Sequence, residues 1–182
     1  YGIAEEEHVK AADAFTSFNE FFYRKLKPAA RPVDAATDSV VFPADGRHLG
    51  FAKASAMEGV YVKGQRFDLG RLLGDDDLAE QFADGAAVFS RLCPVDYHRF
   101  HFPVSGVPGN ARLINGSLYS VNPLALRDRL AILWENKRFI TEIETEQLGR
   151  VLMLEIGATN VGSVHHTFVP TRSVEKGEEK GI

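Results

Sequence analysis

The chain has 182 residues, 45% of them hydrophobic, and a formal net charge of -4. That length is enough for one substantial core and a single domain with at most a small appendage, and the negative balance excludes a global attraction to nucleic acid, so an anionic partner must be met by a local basic patch. One cysteine, Cys93, excludes an internal disulfide framework and a cysteine-based zinc knuckle, and fits a reducing compartment. No run approaches the ~18 consecutive apolar residues of a spanning helix, and the opening "YGIAEEEHVK" lacks the basic-then-apolar order of a secretory signal. The expectation is a chain that does not cross a bilayer but could lie on one.

Residues 7 to 26 carry the strongest helical pattern, with Phe15, Phe18, Phe22 and Leu26 at steps of three and four and Phe21 widening the apolar face. Pro28 ends it. Directly behind this face Arg24, Lys25, Lys27 and Arg31 supply four positive charges with no acid between them. Two readings fit: an amphipathic helix packed on its own domain with a solvated basic end, or an element that docks on an anionic membrane. After residue 38 the texture changes to short β-type runs broken by glycine and proline, among them "SVVFPADG", "GVYVKG", "AAVFSRL", "YHRFHFPVSG", "RLINGSLYSV", "NKRFITEIET", "RVLMLEIGA" and "VGSVHHTFVP". Between them "RFDLGRLLGDDDLAEQFADG" predicts a helical insertion, and "NPLALRDRLAILWENK" a loop or short helix around Trp134. The expected class is α+β: a mostly antiparallel β body, sandwich- or barrel-like, over 38–182, preceded by amphipathic helices over 1–37.

The stretch "VDYHRFHFP" concentrates the chemistry. On a strand, which its aromatic and proline-terminated context favours, His98 and His101 point to opposite faces, and only Asp96 lies close enough in sequence to join them. That argues against a shared metal and leaves either two structural histidines or two separate proton-handling tasks. A proton-moving histidine needs a group to fix its tautomer; Asp45, in the turn of "FPADGR", is a candidate, although an ordinary turn aspartate looks the same. No serine carries a strong local signature of a nucleophile. "EIGATNVGSV" surrounds Asn160 with small residues, as a close backbone approach or a tight turn requires, but has neither the dinucleotide nor the phosphate-loop spacing.

Taken in order, "FNEFFYRKLKPAARPV" (18–33), "FPADGR" (42–47), "LCPVDYHRFHFPVSG" (92–106), "GSLYSVNPLAL" (116–126), "NKR" (136–138), "IGATNVGSV" (156–164) and "KGEEKG" (176–181) resemble the phosphatidylserine decarboxylases. No single motif is specific; the ordered set, covering nearly the whole chain, is. The resemblance implies a proenzyme that cuts itself at a Gly-Ser bond, leaving a β chain and a short α chain. The α chain begins in a pyruvoyl group, an electron sink of the kind that pyridoxal phosphate supplies elsewhere. It implies that Asp45 and His101 activate the serine for self-cleavage, and that His98 serves the decarboxylation of phosphatidylserine to phosphatidylethanolamine. Substrate contacts are implied for Tyr97, Arg99, Asn160, Gly162 and Ser163, with Arg99 and Arg138 as guesses for the phosphate. Phe15, Phe18, Phe22, Arg24, Lys25 and Lys27 become a membrane-docking element at the cytoplasmic face of the cell membrane.

The implied partners are the α chain, the lipid and an anionic surface, with room for a homodimer and no place for nucleic acid or metal. One departure stands against these matches: the family continues past "KGEEKG" to the Gly-Ser motif, whereas this sequence stops at Ile182. The chain is then a β-chain portion, a truncation or a degenerate relative, and is expected not to decarboxylate alone. The rival readings are a phospholipid-binding relative without the pyruvoyl serine and, more weakly, a hydrolase pairing Asp45 and His101 with Ser163.

Overall fold

The computed structural model describes residues 3–59 and 61–182. Its first half holds α1 (Phe18–Phe22), β1 (Arg47–Phe51), β2 (Tyr61–Val62), β3 (Gln65–Arg66), α2 (Leu69–Leu73), α3 (Asp76–Phe82) and β4 (Ala87–Arg91). The second half adds β5 (Phe100–His101), β6 (Val107–Pro108), β7 (Arg112–Ile114), α4 (Pro123–Asp128), α5 (Ile132–Glu135), β8 (Arg138–Thr145), β9 (Gly149–Ile156) and β10 (Glu179–Gly181). These strands pair antiparallel in four small sheets: β1 with β4, β2 with β3, β5 with β10, and a larger one in which β8 pairs β6, β7 and β9. The class is α+β as expected, but the sheets do not close into a barrel.

The β8–β9 hairpin organises the rest, because successive side chains of a strand point to opposite faces. On one face Ile140 packs, with Leu152, Leu154 and Ile156, into a core shared with Phe67, Leu69, Leu72, Leu73 and Trp134 from the helical layer. On the other face Ile143, Met153 and Val151 meet Phe102, Val104, Val174 and Phe168. A helical layer thus covers one side and the histidine-bearing segment the other. Arg138 opens β8 toward the helices, where its buried guanidinium donates to the carbonyls of Arg71, Leu72, Trp134 and Asn136. It satisfies the unpaired carbonyls at the ends of α2 and α5, so its role here is structural.

The predicted helical insertion splits in two at Gly74, which adopts the left-handed backbone (φ +62°) that ends α2, while Asp68 and Asp75 cap the starts of α2 and α3. Several predicted strands shrink to two or three paired residues. "SVVFPADG" forms no strand, although Val41 N bonds Pro103 O and Pro43 O accepts from His101 N, and "VGSVHHTFVP" contributes a bridge from His166 to Gly181. In "GVYVKG" residue 60 lies outside the described residues and β2 takes up Tyr61–Val62.

The helix predicted over 7–26 is the largest departure. Only Phe18–Phe22 is α-helical, with 3-10 turns at Glu5–Glu7, Ala12–Ala14 and Pro28–Ala30. Two local preferences outweigh the periodicity. Ser17 accepts from Glu20 N while the Glu20 carboxylate accepts from Thr16 N, a box that starts a new helix at Phe18. The ends also pair in extended form, with His8 bridged to Leu26 and Val9 N bonded to Lys25 O.

Asn136, fully buried between α5 and β8, accepts from Tyr119 N and donates to Tyr119 O and Gly157 O. Replacing it by alanine leaves these groups unpaired inside the protein, and a urea titration should show a loss of about 3 kcal/mol.

Candidate active site around His98 and His101

The β1–β4 ribbon brings two loops together. Asp45 lies just before β1, whose Arg47 pairs with Arg91 at the end of β4, and from there the chain runs through Cys93 and Asp96 to the histidines. Gly46 (φ +132°) is required at this junction, because a Cβ would stand 2.5 Å from Arg91 O. His101 N donates to Pro43 O at 2.7 Å, tying the aspartate turn to β5, and Asp96 accepts from Cys93 N at 2.6 Å to fix the approach loop.

The two histidines take separate partners. His101 Nδ1 lies 2.9 Å from Gly177 O, an acceptor only, so Nδ1 carries the proton and Nε2 presents its lone pair. The Tyr97 hydroxyl donates to that Nε2 at 3.3 Å. Burial lifts the Tyr97 hydroxyl to about 12, which keeps it protonated and a donor at neutral pH. His98 donates from Nδ1 to Asp96 O at 2.9 Å, which leaves its Nε2 as the nitrogen open to a reacting group, and Phe22 covers the ring at a centroid distance of 3.9 Å.

Asp45 does not reach His101. Both its oxygens accept from Arg31, at 2.7 to 3.0 Å, and Arg31 also reaches Glu7. Arg31, Asp45, Tyr97, His8 and Arg24 line a cavity of about 330 Å³. Tyr97 is therefore the side chain that joins the two halves of the expected relay: its ring borders the cavity of Asp45 and its hydroxyl sits on His101.

The remaining site candidates scatter. Arg99 is buried and engaged, with two bonds to Glu179 and one to Tyr23 O, leaving it a structural tie between α1 and β10. Asn160 (φ +67°) forms a tight turn closed by Ala158 and Val161, and Gly162 lies against Leu118 so closely that a Cβ would approach to 2.4 Å. Among the described residues no hydrogen bond or ring contact joins Asn160, Gly162 or Ser163 to either histidine.

The docking candidates divide as well. Phe18 is 74% exposed, whereas Phe15 stacks edge-on with Phe21 and His8. Arg24 is buried, donating to His8 Nε2 and Val95 O. Lys25 is exposed, and Lys27 is exposed but bonded to Glu6 O. No helix among the described residues is long and apolar enough to cross a membrane.

A profile of the phosphatidylserine decarboxylase family matches residues 18–182. The chain belongs to the phosphatidylserine decarboxylase family. It is 49% identical over all 182 residues to a phosphatidylserine decarboxylase proenzyme of Chlamydia pneumoniae and 51% identical to that of Chlamydia muridarum, covering 60% of the length of each. A Chlamydia trachomatis relative with the same description is 46% identical over the same span. The match includes every residue around His98 and His101, while the chain spans only part of the relatives' length.

Sequence reasoning found both histidines but not their partners. Arg31 was legible only as one charge of a basic cluster, and Gly177, whose backbone carbonyl holds His101, offers no side chain to notice.

Burial lowers the pKa of His98 below its ordinary 6.5, partly offset by the Asp96 carbonyl and carboxylate, and burial with Arg24 lowers that of His8. In the window below 6.5 the unfolded chain binds more protons than the folded one, so stability rises with pH there. The contribution of these neutral rings is complete above 6.5 and lost as pH falls through the folded values. The urea midpoint should therefore drop between pH 7 and pH 5, and replacing both histidines by glutamine should flatten that drop.

Proposed function

We propose that the chain is the β-chain portion of a pyruvoyl-dependent phosphatidylserine decarboxylase, formed by self-cleavage of a longer proenzyme. The observation that carries this reading is the hold on His101: Gly177 O takes its Nδ1, Glu179 of β10 pairs opposite it, and its Nε2 is left facing the Tyr97 hydroxyl. A serine on the remaining polypeptide of such a proenzyme, brought to this histidine, would meet an Nε2 that can accept its proton. Tyr97 gives up that nitrogen, the serine oxygen attacks the preceding glycine carbonyl, and the proton passes to the departing amine as the C–N bond breaks. Gly177 fixes the tautomer, and Asp45 acts across the cavity to stabilise the imidazolium. Elimination from the resulting ester expels the glycine carboxylate and leaves a dehydroalanine, whose imine tautomer is hydrolysed by water with loss of ammonia to give the pyruvoyl group.

That group supplies an electron sink for loss of carbon dioxide from the serine headgroup of phosphatidylserine. The residues here fit such a group: His98 has an open Nε2 on the same short segment, shielded by Phe22, and can hold the proton that the product carbon needs. Of the substrate contacts implied by the resemblance, Tyr97 has the strongest support, because it lines the cavity of Asp45 and its hydroxyl lies 3.3 Å from His101 Nε2. Membrane docking rests on Phe18 and Lys25, with Lys27 at the edge. Reversing Lys25 and Lys27 to glutamate should reduce co-flotation with anionic vesicles, and unchanged flotation would leave these lysines as solvated surface.

The direct test is intact mass measurement on the full-length gene product. A small second chain blocked by pyruvate, accompanied by carbon dioxide release from phosphatidylserine, supports the enzyme. An uncut chain that binds the lipid without turnover indicates a binding relative.

A further inference from the structure

A buried ionic cluster outside the catalytic groups lies at the foot of β10. Lys180 is fully buried, yet its ammonium has one anionic partner, Glu155 on β9, at 2.6 Å. The second oxygen of Glu155 faces His166 Nε2 at 3.3 Å, and the rings of Phe100 and Phe168 close around the ammonium at 5.5 and 5.3 Å. A charge is taken this far out of water only at considerable cost, and such a pair adds less to stability than to the choice of one arrangement over its neighbours.

The arrangement at stake is the register of β10. Glu179 pairs with His101 and Gly181 with Phe100, with an irregularity between them that turns Lys180 toward the core. Each of the three residues has a place no other can fill. The Glu179 carboxylate takes both bonds from Arg99, and Lys180 takes Glu155. Gly181 occupies a slot where a Cβ would lie 2.6 Å from both His165 O and the Phe100 ring. On the other edge Thr167 N bonds Lys180 O, and His165 exchanges two backbone bonds with Ile182. A slip of one residue in either direction drives a side chain into the Gly181 slot, strips Arg99 of its carboxylate and leaves Glu155 buried without a cation.

We infer that Glu155 and Lys180, with Gly181, form a register lock that indexes the polypeptide following β10 against His101. Lys180 and Glu155 are positioning residues: neither touches a reacting atom. The lock rests on the self-cleaving reading for its consequence, since a strand held one residue out of place would present the wrong bond to His101.

The test uses the full-length precursor with Glu155→Gln and Lys180→Met together, a neutral pair of similar volume that spares the protein a lone buried charge. The expected result is a melting temperature close to wild type, faster amide exchange confined to 179–182, and self-cleavage slowed by about 10²-fold, the scale of a misplacement of about 1 Å. Gly181→Ala should slow cleavage in the same way through the slot. Wild-type exchange at β10 in the double variant would overturn the lock. Loosened exchange with wild-type cleavage would overturn its link to processing. A wild-type precursor that never cuts itself would instead remove the self-cleaving reading, and the exchange comparison would still decide whether β10 is locked.

Discussion

Replacing His101 by alanine in the full-length precursor should leave one uncut band on a denaturing gel under conditions that process the wild type completely. The expected loss in rate is about 10⁴-fold or more, as for removal of the base from a nucleophilic relay. His101 is only half-buried, and the backbone bond from its amide to Pro43 does not depend on the ring, so a melting curve should move little while processing stops. Asp45→Asn should act more weakly than His101→Ala, because the carboxylate is held by Arg31 and the tautomer of His101 is set by Gly177. Processing of the His101 variant at the wild-type rate would remove this histidine from the relay, and an Asp45 effect as large as that of His101 would show that the carboxylate moves off Arg31 to reach the ring.

His98→Ala should separate the two reactions. The precursor still cuts itself, since His98 shares no hydrogen bond with His101 or Gly177 among the described residues, but turnover of phosphatidylserine, followed as carbon dioxide, should fall by about 10² to 10⁴-fold. With its pKa held below 6.5 by burial, His98 is mostly neutral at pH 7 and must gain a proton at Nε2 before it can give one. Wild-type turnover should accordingly decline as pH rises through the neutral range, and the residual activity of the alanine variant should lose that dependence. Turnover equal to wild type would end the proton-donor assignment.

Strand geometry predicts that residues three apart on an extended chain face opposite ways; only His101 lies in a strand, β5, while His98 sits in the loop before it, and the two rings bond different carbonyls, Asp96 O and Gly177 O. The antiparallel character of the body was equally open to reading, because β8 and β9 carry long apolar patterns around a short turn. The N-terminus defeated the same method. Phenylalanines at helical spacing are also what a folded-back aromatic cluster needs, and the choice fell to a Thr16–Glu20 bond and an extended pairing of His8 with Leu26, contacts that periodicity does not encode. Arg24, counted in sequence as surface charge, is buried on His8 and Val95, a partner 71 positions away that only the fold reveals. Backbone acceptors such as Gly177 O are invisible to any reading by residue type.

The two apolar cores on either side of β8–β9 draw on alternate residues of the same two strands. Neither layer can be emptied of its packing without uncovering the back of the other, so the helical side and the histidine side are bound into one cooperative unit. The precision of the site therefore depends on residues as remote as Trp134 and Leu73, which touch neither histidine yet pack against the hairpin on whose far face the histidine-bearing segment rests.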